Sequence, residues 1–163
     1  MPITDDIVAT YRSPRGMIRR KLAAGPREDR ALATLLGACL LIFVAQWPAL
    51  ARAAQMDPTQ PLDARMAGAL LGSVFLVPLF AYALAGISHL IARRFGGKGS
   101  YFAARMALFW AMLSIAPVML LNGLAQGFIS SGPVSIIMGV LVLGVFLYLW
   151  GTMLVEVERH DPG

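Results

Sequence analysis

The chain has 163 residues, 58% hydrophobic and 14% charged. Soluble domains carry about 45–50% apolar and about 25% charged residues, so this content exceeds what one small aqueous core can bury. Fourteen Lys and Arg against nine Asp and Glu give a net charge of +5, but the basic residues flank apolar runs, which argues for anionic lipid headgroups rather than nucleic acid as their partner. One cysteine, Cys39, excludes an intrachain disulfide, and a lone Cys with two His offers no metal framework.

Residues 1–30 are polar and basic. Within them Ile3, Ile7, Val8 and Tyr11 recur at helical spacing, and Met17, Ile18 and Leu22 follow among cations after Ser13-Pro14. This pattern predicts a broken amphipathic helix on the inner membrane face, its cations against lipid phosphates. It would serve as a juxtamembrane anchor, a membrane sensor or a docking site. Residues 31–51 form the first run without a formal charge, 21 residues long. About 20 apolar residues cross a hydrocarbon layer of roughly 30 Å, so this run is one span. Ala51-Arg52-Ala53 after it resembles a leader-peptidase site. A 30-residue polar start and a long apolar core do not suit a leader, and the span is expected to stay.

Residues 52–65 make a short loop, and 66–92 give a second span of 27 uncharged residues. A basic, Gly-rich loop covers 93–105. From Met106 to Val155 no Asp, Glu, Lys or Arg occurs for 50 residues. That length suits two spans, divided at Ser130-Ser131-Gly132-Pro133 into 106–129 and 134–155. Residues 156–163 are expected to form a polar tail. Barrel strands would alternate in polarity with period two, whereas these runs are apolar all round, so helices are the reading. The expected fold is an all-α integral membrane bundle of four transmembrane helices with an N-terminal amphipathic basic segment.

Cations gather on the cytoplasmic side of membrane helices. An inward N-terminus puts twelve Lys and Arg inside and two, Arg52 and Arg65, outside. Both termini are therefore expected in the cytoplasm. Trp47, Trp110 and Trp150 fall near span ends, as interfacial rings do.

The chemistry-bearing residues are few. Gly96-Gly97-Lys98-Gly99-Ser100 hints at a phosphate loop, but Gly99 separates Lys98 from Ser100 and no strand precedes it. A tight turn with Ser100 as helix N-cap is the simpler account. Gln46, His89, Asn122 and Gln126 are the polar residues of the spans, with His89 near an inner end. No Asp, Glu, Lys or Arg lies deep in a span, so a transport pathway lacks its usual mark. Gly68 and Gly72, and likewise Gly123 and Gly127, are small pairs four apart that let helices approach closely, within one chain or in a homo-oligomer. Pro78 and Pro117 should kink their helices. Glu156, Glu158, His160 and Asp161 read as a frayed acidic end rather than a metal site. No catalytic set and no cofactor site emerges. The candidate lipid- or partner-binding face is basic: Arg19, Arg20, Lys21, Arg93, Arg94, Lys98 and Arg105.

His89-Leu90-Ile91-Ala92-Arg93-Arg94-Phe95-Gly96-Gly97-Lys98-Gly99-Ser100-Tyr101, then Arg105 and Pro117, resembles the core of the YIP (Ypt/Rab-interacting protein) domain in its bacterial branch. Asp6-Ile7-Val8, Tyr11-Arg12-Ser13-Pro14 and Phe43-Val44-Ala45-Gln46-Trp47-Pro48 are similar to short alphaproteobacterial members, and the resemblance runs from about Ile3 to Leu154. It implies a multi-span, non-enzymatic protein that contacts other membrane proteins, here in a bacterial inner membrane. The family's usual layout has five spans, against four counted here. The expected role is membrane organisation or partner binding; a small transporter or channel subunit, or an accessory subunit of a larger complex, are the alternatives.

Overall fold

The computed structural model describes residues 2–128 and 132–159. Seven helices follow one another: α1 (Ile3–Arg12), α2 (Pro14–Leu22), α3 (Glu28–Met56), α4 (Leu62–Leu71), α5 (Val77–Arg94), α6 (Tyr101–Phe128) and α7 (Pro133–Arg159). A single π-helical turn, Gly72–Leu76, joins α4 to α5 into one 33-residue rod. Four rods result, 29, 33, 28 and 27 residues long, each apolar enough to cross a membrane. At 1.5 Å per residue they measure ~40–50 Å, beyond the roughly 30 Å of hydrocarbon, so their ends project into the headgroup layers. This is an all-α membrane bundle.

The helices overrun the ranges expected from charge-free runs. α3 starts at Glu28 rather than residue 31, and α6 starts at Tyr101 rather than 106. The projecting turns carry charges that pair with each other, so the charge boundary and the helix boundary differ. The expected polar tail is corrected in the same way: Glu156, Val157 and Glu158 are buried residues of α7. The turn expected around Ser130 and Ser131 lies largely outside the described residues, as do His160 and Asp161.

The span prolines are accommodated in different ways. Before Pro78 the helix widens by one residue, and the Val77 N–H bonds the Gly72 carbonyl five residues back. Such a π turn absorbs the missing proline donor and the clash of its ring with the preceding turn. α6 continues through Pro117, and α3 through Pro48.

α6 is the axle of the bundle. It packs most extensively on α3, then on α7 and α5, and 61% of its most apolar stretch is buried against 6% for α7. The core joins Leu35, Cys39, Leu108, Phe109, Leu149 and Met153 to Met17 and Ile18 of α2. The two N-terminal helices are thus part of the fold. They form a hairpin against one end of the bundle, where α3 and α6 begin and α5 and α7 finish.

Candidate functional site

That end is closed by two polar constructions. The first is built on the turn between α5 and α6. The α5 helix finishes with the Gly97 N–H on the Ala92 carbonyl (2.9 Å) and the Gly96 N–H on the Arg93 carbonyl (3.1 Å). Gly96 supplies the positive φ of 88° that this C-terminal cap requires. The chain then folds over the last turn of α7. The Lys98 N–H donates to the Glu158 carbonyl (2.8 Å), and the Gly99 N–H donates to the Glu158 carboxylate (3.2 Å). The other carboxylate oxygen lies 2.6 Å from Nδ1 of His89, which is buried and has the Tyr101 ring edge-on at 4.3 Å. Side chains at this turn would collide: a Cβ on Gly97 would sit 2.6 Å from the Glu158 carboxylate, and one on Gly99 2.7 Å from the Val157 carbonyl. Ser100 caps α6 by accepting the Ala103 N–H at 3.1 Å. The glycine-rich turn thus acts as a latch holding three helix ends together.

The second construction docks the α1–α2 hairpin. Asp6, buried in α1, accepts from Lys21 (2.7 Å) and also pairs with Arg20. The hydrogen bond from Lys21, assisted by the charges of Lys21 and Arg20, holds the Asp6 carboxyl below its ordinary 3.8, outweighing the opposing effect of desolvation. Lys21 also stands 4.0 Å over the Trp110 ring. The Trp110 N–H donates to Thr10 Oγ1 (2.9 Å), which donates onward to the Asp6 carbonyl (2.7 Å). Tyr11 donates to the Ser114 carbonyl at 2.7 Å, one residue after the carbonyl that Pro117 leaves without its helical donor. Burial raises the Tyr11 hydroxyl above its ordinary 10.0 and keeps it protonated as that donor. Arg19 of α2 pairs with the buried Glu156 of α7, and Arg105 of α6 pairs with Glu28 of α3.

A family model, the Yip1 domain, matches residues 8–161, nearly the whole chain. The chain belongs to the Yip1 domain family. Neither curated proteins nor solved structures give a match. Family and helices together make this a multi-pass membrane protein.

In this Yip1 domain the seven basic residues singled out in the sequence separate into two groups. Arg19, Arg20, Lys21 and Arg105 make ion pairs within the chain. Arg93, Arg94 and Lys98 are exposed, beside Phe95, which is 88% exposed. The four glycines separate as well. A Cβ on Gly123 would overlap the Ala45 carbonyl of α3, and one on Gly127 would lie 2.7 Å from Pro48, whereas Gly68 and Gly72 face open space. The α6 pair therefore serves packing within the chain. Gln46 donates to Ser73 of the π turn at 3.0 Å, joining α3 to the second rod. Trp110, expected at an interface, is buried.

The residues missed from sequence are the acceptors: Asp6, Thr10, Glu156 and Glu158. The apolar positions of α1 divide, with Ile7 packed against the core. Ile3 and Val8 are exposed, while Asp6 and Thr10 face the bundle. A signal existed in the two carboxylates placed directly after an apolar span, opposite a basic amino-terminal segment.

Proposed function

We propose that this Yip1 domain is a non-catalytic membrane-organising protein of a bacterial inner membrane, with its latched end in the cytoplasm. That end would bind anionic headgroups or the acidic surface of a membrane partner. The observation that carries the reading is the fate of its charges. Asp6, Glu28, Glu156 and Glu158 are all engaged by the chain's own groups, so the exposed charges around the latch are the cations Arg93, Arg94, Lys98 and Arg159. Cations near an anionic leaflet contribute about 1 kcal/mol each. Phe95 between them adds an apolar contact at headgroup depth. A packing role is further supported by Gln46, whose amide is turned to Ser73.

The test is topological. Lys98→Cys, in a Cys39→Ala background, is treated with a membrane-impermeant maleimide on intact cells and after permeabilisation. Labelling only after permeabilisation is expected. Labelling on intact cells would place the latch outside and remove the reading. Purification in a mild detergent, followed by identification of stoichiometric companions, then separates lipid binding from partner binding.

A further inference from the structure

A groove of about 440 Å³ opens beside the hairpin, between α3 and α6. Its volume lies in the range of sites that hold small molecules, about 300–1,000 Å³. Its walls have two characters. Arg20, Lys21 and Arg30 give its charged part, and Ala33, Gly37 and Met106 are among its apolar lining. On α3 the residues Arg30, Ala33, Thr34 and Gly37 follow the i, i+3, i+4, i+7 pattern of one helix face. From Arg30 to Gly37 the groove therefore descends ~10 Å along the helix at 1.5 Å per residue.

The charged part is built rather than incidental. Asp6 fixes Arg20 and Lys21 from one side, and the Trp110 ring fixes Lys21 from another. A lysine ammonium has three donors, so Lys21 retains donors after satisfying Asp6. Arg30 makes no ion pair among the described residues. Three cations against one carboxylate leave a positive surplus there. Residue 37 is glycine, and a Cβ there would already touch Leu113 at 3.9 Å, so a larger side chain at this position would fill the groove.

We propose that this groove binds one molecule of anionic glycerophospholipid, its phosphate held by Arg30 and Lys21 and one acyl chain lying along Ala33, Thr34 and Gly37 of α3. The charged part selects an anion, and the apolar lining selects an anion that carries a hydrocarbon chain. The proposal rests on the reading that this end meets an anionic leaflet, but its test needs no bilayer and no orientation.

Full-length protein in neutral detergent is titrated with phosphatidylglycerol, phosphatidylcholine or glycerol phosphate, and intact complexes are weighed by native mass spectrometry. One phosphatidylglycerol should be retained, in preference to phosphatidylcholine, and glycerol phosphate should not displace it. Arg30→Gln should weaken retention about tenfold, the scale of one charge-assisted contact. Gly37→Leu should reduce it by filling the groove. Arg15→Gln, which removes the same charge from an exposed site on α2, should leave retention unchanged. Equal retention of both lipids, displacement by glycerol phosphate, or equal losses from Arg30→Gln and Arg15→Gln would each overturn the site. Arg30 is exposed, so its variant tests the idea even if Gly37→Leu fails to fold. Should the maleimide place the latch outside while the lipid is still retained, the groove stands and only its leaflet changes.

Discussion

The two ends of the bundle are held together by different physics. At the latched end, helices meet through polar pairs whose carboxylates are buried: His89 with Glu158, Arg19 with Glu156, and Asp6 with Arg20 and Lys21. Toward the other end, α3 and α6 meet through the absence of side chains, with Gly123 against the Ala45 carbonyl and Gly127 against Pro48. The exposed polar contacts there, such as Asp57 with Arg65, tie one loop to itself. Polar pairing suits a region that borders water, because each group can be solvated until its partner arrives. Close backbone approach suits hydrocarbon, where packing rather than the hydrophobic effect drives association.

The contrast predicts a ranking of effects. Gly123→Ala should do most damage, since its methyl would meet the Ala45 carbonyl. A loss at or above the upper end of the ~1–3 kcal/mol typical of overpacking is expected in thermal unfolding in detergent. Gly68→Ala, facing open space, should be neutral or mildly stabilising; equal losses at both glycines would remove the packing argument. Glu158→Ala should come next, at about 2 kcal/mol, because it orphans His89 and the Gly99 N–H together. Pairing this change with His89→Phe should recover part of the loss, and full additivity of the two would argue against the latch.

Asp6→Asn should have a smaller effect, confined to the hairpin: trypsin should cleave after Arg15, Arg19 and Arg20 several-fold faster, with the four rods intact. Its pH dependence has a definite sign. Asp6 is depressed in the folded chain, so its contribution is complete above the ordinary 3.8 and is lost as pH falls through the lower folded value. Acid release of the hairpin, followed by a fluorophore on α1, should be weaker in Asp6→Asn than in the parent. Asp57→Asn should change least. It removes an exposed pair, and the midpoint of unfolding should not move measurably.

The four spans were legible because hydrocarbon tolerates no free charge, and the intervals between charges were of membrane length. The tight turn and the Ser100 cap were legible because glycine and serine have local backbone reasons to be there. The order of packing was not. Every span is apolar all round, so a face toward lipid and a face toward protein read alike; α7, which has the highest mean hydropathy of the four rods, is among the least buried, and α6 is the axle. The site was half legible. The cations stood out, but their acceptors lie far along the chain, Arg19 and Glu156 being 137 residues apart and His89 and Glu158 being 69 apart. No local pattern links such pairs. Arg93, Arg94 and Lys98 kept the exposure that the sequence suggested.

The hairpin also sets a timetable for biogenesis. Its helices leave the ribosome before any of the four rods, yet the wall that receives them is made of Trp110 and Ser114 in α6 and Glu156 in α7. The hairpin is therefore translated before the surface that receives it, and it can dock only after α6 and α7 are in place.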